Sequence, residues 1–208
     1  CTEMDGIESL HDVVLVLASN RHDLIDPAIL RPGRIDRKIK VARPNYEAAR
    51  DILGIYIKAE LPIDREQIKQ HGGLEEARAA LVQAGLEELF AKSDEARFLE
   101  VSLRSGRQEV LYRGDLTSGA IIASVVSRAK EMAIKRAIAN SDPDGGICSE
   151  DLRLAARAEY RENDVFPPSD SVEDWLKLLD YEPENVVKVM PVKPQTEKAP
   201  EPRSGKVI

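Results

Sequence analysis

Residues 18–36 read ASNRHDLIDPAILRPGRID, and they continue an apolar run, VVLVLA, at residues 13–18. That run is apolar without alternation, the pattern of a strand covered on both faces in a parallel sheet. Sheets of this kind gather ligands at the carboxyl ends of their strands, and that end here carries Ser19 and Asn20. Asp26-Pro27 reads as a helix start, with Asp as N-cap and Pro in the first turn, and Pro32-Gly33 stops that helix within a few residues. Pro fixes its own dihedral and Gly tolerates the bend, so Arg31 and Arg34 leave a loop of set shape. RKIKVA, at residues 37–42, reads as a second strand with Ile39 and Val41 on one face.

A polar Asn at the tip of a buried strand is costly unless something outside the core engages it. Phosphoryl transfer supplies a use for all three side chains, since it needs a group that orients the attacking water and positive charge against the phosphoryl oxygens. An Asn orients water without taking its proton, and arginines on an exposed loop can reach the phosphate of a neighbouring subunit. The bland alternatives are a polar turn residue for Asn20, and weak surface ion pairs to Asp26 or Asp36 for Arg31 and Arg34.

The chain has 208 residues, room for one large or two small domains. Charged residues make up 32% and the net charge is -7, so the surface is acidic. No Lys or Arg cluster stands clear of neighbouring carboxylates, which argues against nucleic-acid binding. No run approaches 18 apolar residues and no signal peptide opens the chain, so the reading is a soluble, cytoplasmic protein without membrane contact. Cys1 and Cys148 are far apart and outside any CxxC, and His11, His22 and His71 are scattered, so no metal ligand set emerges. The opening, CTEMDGIESL, resembles the end of an amphipathic helix closed by Gly6, which reads as a fragment with its upstream part missing.

Further along, Asn45 caps a helix over YEAARDILGIYIKAE (residues 46–60), ended by Pro62. A second amphipathic helix runs over residues 74–92, with Leu74, Ala77, Leu81, Leu89 and Phe90 on one stripe. A third runs over residues 118–139 with Ile121, Ile122, Val125, Val126, Ala129 and Ala133 inward. Between them RFLEVSLRSGRQEVLYR, residues 97–113, alternates on either side of Ser105-Gly106 and reads as a β-hairpin. Ser149 caps a helix over residues 150–163, and Ser171 with Asp174 opens another over VEDWLKLL, which carries Trp175. NVVKVMPV, residues 185–192, reads as a last strand. The stretch at 193–208, rich in Pro, Lys and Glu, reads as a disordered tail.

ASNRHDLIDPAILRPGRIDRKI, residues 18–39, closely resembles the second region of homology of AAA ATPases. The resemblance implies that Asn20 is sensor 1 and that Arg31 and Arg34 are fingers toward the ATP of the next protomer. LTSGAIIASVV, residues 116–126, resembles the sensor 2 helix, which implies that Gly119 and Ala120 lie near the nucleotide. DILGIY, residues 51–56, resembles the lid helix that contacts adenine, which implies roles for Ile52 and Tyr56. The alternatives stay open: Ile52 and Tyr56 as core residues, and Gly119 as backbone accommodation before a helix.

The hairpin and the helix after it, DEARFLEVSLRSGRQEVLYRGDLTSGA (residues 94–120), look like the proteasome-associated ATPases of actinobacteria, the unfoldases of the Mpa and ARC type. That likeness implies an α/β fold: residues 1–43 as the C-terminal part of a P-loop AAA+ large domain with a parallel sheet, and residues 44–192 as a helical lid with a β-hairpin insertion at about 97–112. It also implies a homo-hexamer that uses ATP and Mg2+ to unfold proteins tagged with a ubiquitin-like modifier and feed them to the 20S proteasome core. The chain departs from the family in lacking G-x-x-x-x-G-K-[ST] and an acidic Walker B pair, so it holds no Mg2+ ligands and is expected to be inactive alone. It ends SGKVI, without the family's penultimate Tyr. Two other readings remain open: a non-catalytic assembly or interaction module, and an AAA segregase with a different client, which should lack the hairpin.

Overall fold

The computed structural model describes residues 16–19, 25–29, 35, 37–142, 145–162 and 185–191. The chain divides into two compact units, Cys1–Ala42 and Arg43–Ile208. In the first unit, Asp26 Oδ1 accepts from the Ala28 amide at 2.8 Å, and the Ile29 amide donates to the Asp26 carbonyl at 2.9 Å. Asp26 therefore caps a single turn. The expected strand at 37–42 does not form, and Ile39 and Val41 are 85% and 91% exposed. Residues 16–18 are likewise irregular, while 13–15 lie outside the described residues. Apolar pattern alone does not make a strand: each needs a neighbouring strand to take its backbone donors and acceptors, and 37–42 belong to no described strand pair.

The second unit is built on helices. Helix α1, Tyr46–Tyr56, starts where the Asn45 side chain accepts from the Ala48 amide at 2.9 Å, and it buries Ala49 and Leu53 completely. It ends earlier than the position of Pro62 suggests. The guanidinium of Arg78 donates to the carbonyls of Ile57, Lys58 and Ala59, so carbonyls just beyond the helix find a side-chain partner.

Helix α2, Arg65–His71, escapes the sequence reading because seven residues are too few to show a period. Its signals are local. Asp64 accepts from the Glu66 and Gln67 amides, and Gly72 closes it at φ 79°, a conformation that favours glycine. Helix α3, Leu74–Leu89, buries Ala77, Leu81, Ala84, Leu86 and Leu89. Leu74, expected inward, opens the helix at the Gly72-Gly73 turn and stays 46% exposed.

Helix α4, Gly119–Ala139, begins with Ser118 Oγ accepting from the Ile121 amide and turns Ile122, Val125, Val126, Ala129 and Ala133 into the core, as its period predicts. Helix α5, Ser149–Glu162, is capped differently from expectation. Asp151 Oδ2 accepts from the Cys148 amide at 2.8 Å, while the Ser149 hydroxyl accepts from Gln67 Nε2 at 2.9 Å. The hydroxyl is drawn off to α2, so the cap moves to its neighbour.

One core joins these helices around Leu53, Leu81, Leu89, Ile122, Ile147 and Leu152. Full burial of such a side chain is worth about 1.5–3 kcal/mol. Arg157 of α5 grips Glu88 of α3 through paired bonds of 2.8 and 2.9 Å. Ile63 and Ile147 form an isolated parallel bridge, with the Asp64 amide donating to Ile147 O at 3.0 Å.

Strands β1, Arg97–Leu103, and β2, Gln108–Tyr112, form the expected antiparallel hairpin, turning through Gly106 at φ 82°. Strand β3, Val186–Pro191, pairs antiparallel with the other side of β1, so the hairpin becomes a three-stranded sheet of order β2-β1-β3. The way back into the helices is tight. A Cβ at Gly114 would sit 3.0 Å from Leu89 O and from Phe90 Cα. Thr117 is fully buried, its Oγ1 hydrogen-bonded to the Tyr160 hydroxyl at 2.8 Å, and the Arg113 guanidinium lies 5.8 Å from the Tyr160 ring centre.

Two outcomes follow from this packing. A Cβ at Gly146 would meet the Ile63 carbonyl carbon at 2.3 Å and the Asp64 amide at 2.6 Å, both backbone. Gly146→Ala is expected to destabilise the second unit by about 1–3 kcal/mol, read as a shift of the urea midpoint. Burial pushes the Tyr160 phenol up to about 12, while an unfolded phenol ionises near 10. The unfolded chain therefore releases its proton first, so stability tied to Tyr160 is complete below about pH 10 and is lost as pH rises toward 12, a span of about 2–3 kcal/mol. Urea unfolding at pH 9 and pH 11.5 should show a smaller alkaline loss in Tyr160→Phe than in the parent.

Candidate functional site

Asn20, Arg31 and Arg34 lie outside the described residues. The remaining candidates belong to two helices of the second unit. Ile52 and Tyr56 are one helical turn apart on the same face of α1. Ile52 is half-buried against the core, whereas Tyr56 keeps 38% of its surface exposed. Gly119 and Ala120 are the first two residues of α4. A Cβ at Gly119 would meet nothing within 4 Å, and its backbone is not in the left-handed region. Neither crowding nor dihedral inside this unit calls for a glycine there.

Arg43 Nη1 donates to Leu116 O, so the residue just before α1 sits beside the loop that enters α4. At the other end, Arg136 of α4 pairs with Asp64, which follows α1. The two helices therefore run in the same direction. Gly119 and Ala120 lie toward the start of α1, with Ile52 about 9 Å and Tyr56 about 15 Å along its axis from Tyr46. The fold thus gathers Gly119 and Ala120 at one end of the pair and leaves Tyr56 toward the other. The start of a long helix exposes amides and partial positive charge, which suits an anion.

Arg43, Thr117 and Tyr160 were not singled out in the sequence. Arg43 and Leu116 are 73 residues apart, and Thr117 and Tyr160 are 43 apart, separations that no local pattern encodes. A cavity of about 440 Å³ lies elsewhere, between α2, α3 and the start of α5, lined by Gln67, His71, Gln83, Cys148 and Arg153 among others, and it contains none of the candidates. Burial raises the Cys148 thiol, which makes it a poor nucleophile at neutral pH. Among the described residues no group of three or more His, Cys, Asp or Glu could hold a metal ion, and no helix is long and apolar enough to cross a membrane.

Residues 44–207 match the family model of the ARC AAA+ ATPase lid domain, and residues 1–43 match that of the ATPase family associated with various cellular activities. The proteasome-associated ATPase of Acidimicrobium ferrooxidans is 45% identical over 187 residues, covering 89% of this chain and 32% of that protein. The proteasome-associated ATPase of Streptomyces avermitilis is 44% identical over 186 residues, covering 89% and 31%. That of Thermobifida fusca is 43% identical over 187 residues, covering 89% and 32%. The chain therefore spans about a third of the length of the curated relatives it matches. The lid match takes in every described helix and the whole three-stranded sheet, and on that extent the chain belongs to the AAA ATPases of the ARC lid-domain family.

Proposed function

We propose that this chain is the C-terminal portion of a hexameric, ATP-dependent protein unfoldase that feeds tagged substrates to the 20S proteasome. The observation that carries the reading is the 45% identity, over 89% of the chain, to a protein named a proteasome-associated ATPase. In this reading residues 1–43 complete an AAA+ α/β domain, residues 44–192 form its lid, and 193–208 are a tail. The location is the cytoplasm. The hairpin inserted between α3 and α4 favours this client pathway over that of the AAA segregases, for which a hairpin is not expected.

Asn20 orients the attacking water in its own protomer, and Arg31 and Arg34 place positive charge on the ATP of the next. Such a head-to-tail ring uses different surfaces on its two sides, so arginines of one protomer can serve the nucleotide of the next. Gly119 and Ala120 leave the start of α4 open toward the nucleotide, and Ile52 and Tyr56 offer apolar surface to its base. Bound ATP with Mg2+ supplies the phosphoryl group, and the Walker motifs that hold it are absent from these 208 residues. Hydrolysis is therefore a property of the longer protein.

Replacing Arg34 with Ala in the full-length hexamer tests the central role. Turnover is expected to fall by about 10³–10⁵, the usual worth of an arginine finger, while nucleotide binding measured by titration stays close to the parent. Undiminished turnover would remove Arg34 from the reaction.

A further inference from the structure

The loop entering α4 is held on several sides. Its Gly114 backbone lies against Leu89 and Phe90, its Thr117 amide donates to Gly114 O at 3.0 Å, and the Thr117 hydroxyl meets Tyr160 in the interior. Ser118 then caps the helix. All of these partners lie deep in the second unit. Arg43 does not: it is exposed, it is the first residue of that unit, and it stands directly before Pro44. A residue preceding proline is confined to extended backbone and the proline fixes its own dihedral, so the base of the Arg43 side chain has little freedom. From there its guanidinium reaches Leu116 O, three residues before Gly119.

A bond from an exposed arginine to a carbonyl is ordinarily of little consequence. Here both ends of the bond are significant: one is the point where the chain passes from the first unit into the second, and the other is the entry to the helix start proposed to face the nucleotide. We infer that Arg43 is a positioning residue for ATP, holding the Gly119–Ala120 helix start in register with the chain's entry into the second unit. The inference rests on the reading of Gly119 and Ala120 given above. Arg43 does not touch the nucleotide; it acts through the Leu116 carbonyl.

The test is steady-state ATP hydrolysis by the full-length protein carrying Arg43→Ala, Arg43→Lys, Gly119→Leu or Arg157→Ala, with melting temperatures measured in parallel. Arg43→Ala should raise KM for ATP about tenfold, the effect of losing one hydrogen bond from a charged donor, with kcat and melting temperature close to the parent. Arg43→Lys retains a cationic donor and should recover most of the loss. Arg157→Ala, which breaks the outer pair with Glu88, should leave KM unchanged. Gly119→Leu should raise KM by filling the open helix start. A normal KM in Arg43→Ala beside a raised KM in Gly119→Leu overturns the inference and spares the nucleotide reading. Normal KM values in both overturn the two together. A loss in Arg43→Ala that tracks a lowered melting temperature, without rescue by lysine, reduces Arg43 to a structural residue and also overturns the inference.

Discussion

The lid unit turns on one carboxylate. Asp151 is 6% exposed and accepts from Arg136 Nη2 at 2.7 Å and from the Cys148 amide at 2.8 Å. Arg136 carries the same contact onward, to Gly146 O at 2.8 Å and to Asp64 at 3.5 Å. The end of α4 and the starts of α2 and α5 thus share one set of charges. A buried carboxylate left without its cation would be strongly unfavourable, so Asp151 and Arg136 fix each other's place. This also explains the close approach of Gly146 to Ile63: the chain must pass within backbone distance of the α2 start for Arg136 to reach both aspartates.

Elements with a long period and a local cap were legible in the sequence. Asn45 and Ser118 sit where their helices begin, and the inward residues of α4 are those its spacing picks out. The hairpin was legible for the same reason, since alternation around Ser105-Gly106 needs no distant partner. The failures share the opposite cause. Ser149 has the right chemistry for a cap, but Gln67, 82 residues away, takes its hydroxyl. The end of α1 is set by Arg78, about 20 positions downstream of the carbonyls it binds. Residues 37–42 have the alternation of a strand, yet they are irregular, with Ile39 and Val41 exposed. Local propensity is realised only where tertiary partners do not outbid or withhold the bonds it requires.

The candidate site divides along the same line. Asn20, Arg31 and Arg34 are expectations drawn from a continuous motif, whose residue types and spacing are all local, and they lie outside the described residues. Arg43 and the Thr117–Tyr160 pair could not be found that way, since each joins separate elements and neither residue type is unusual where it stands. The motif offers residue types proposed for ATP chemistry. The long-range bonds determine where the lid's groups stand relative to one another.

Glycines sharpen the argument for Gly119. Gly72 and Gly106 adopt left-handed backbone, and Gly114 and Gly146 face backbone atoms at 3.0 Å or less, so the fold itself requires each of them. Gly119 has neither reason. Gly54 has neither as well, in the middle of α1, on the side of the helix away from Ile52. A glycine inside an exposed helix costs about 1 kcal/mol relative to alanine, and nothing within the second unit returns that cost at Gly54. Such an uncompensated glycine points to an approach from outside the unit. At Gly119 the proposed visitor is the nucleotide, whereas Gly54 is turned away from the Ile52–Tyr56 face.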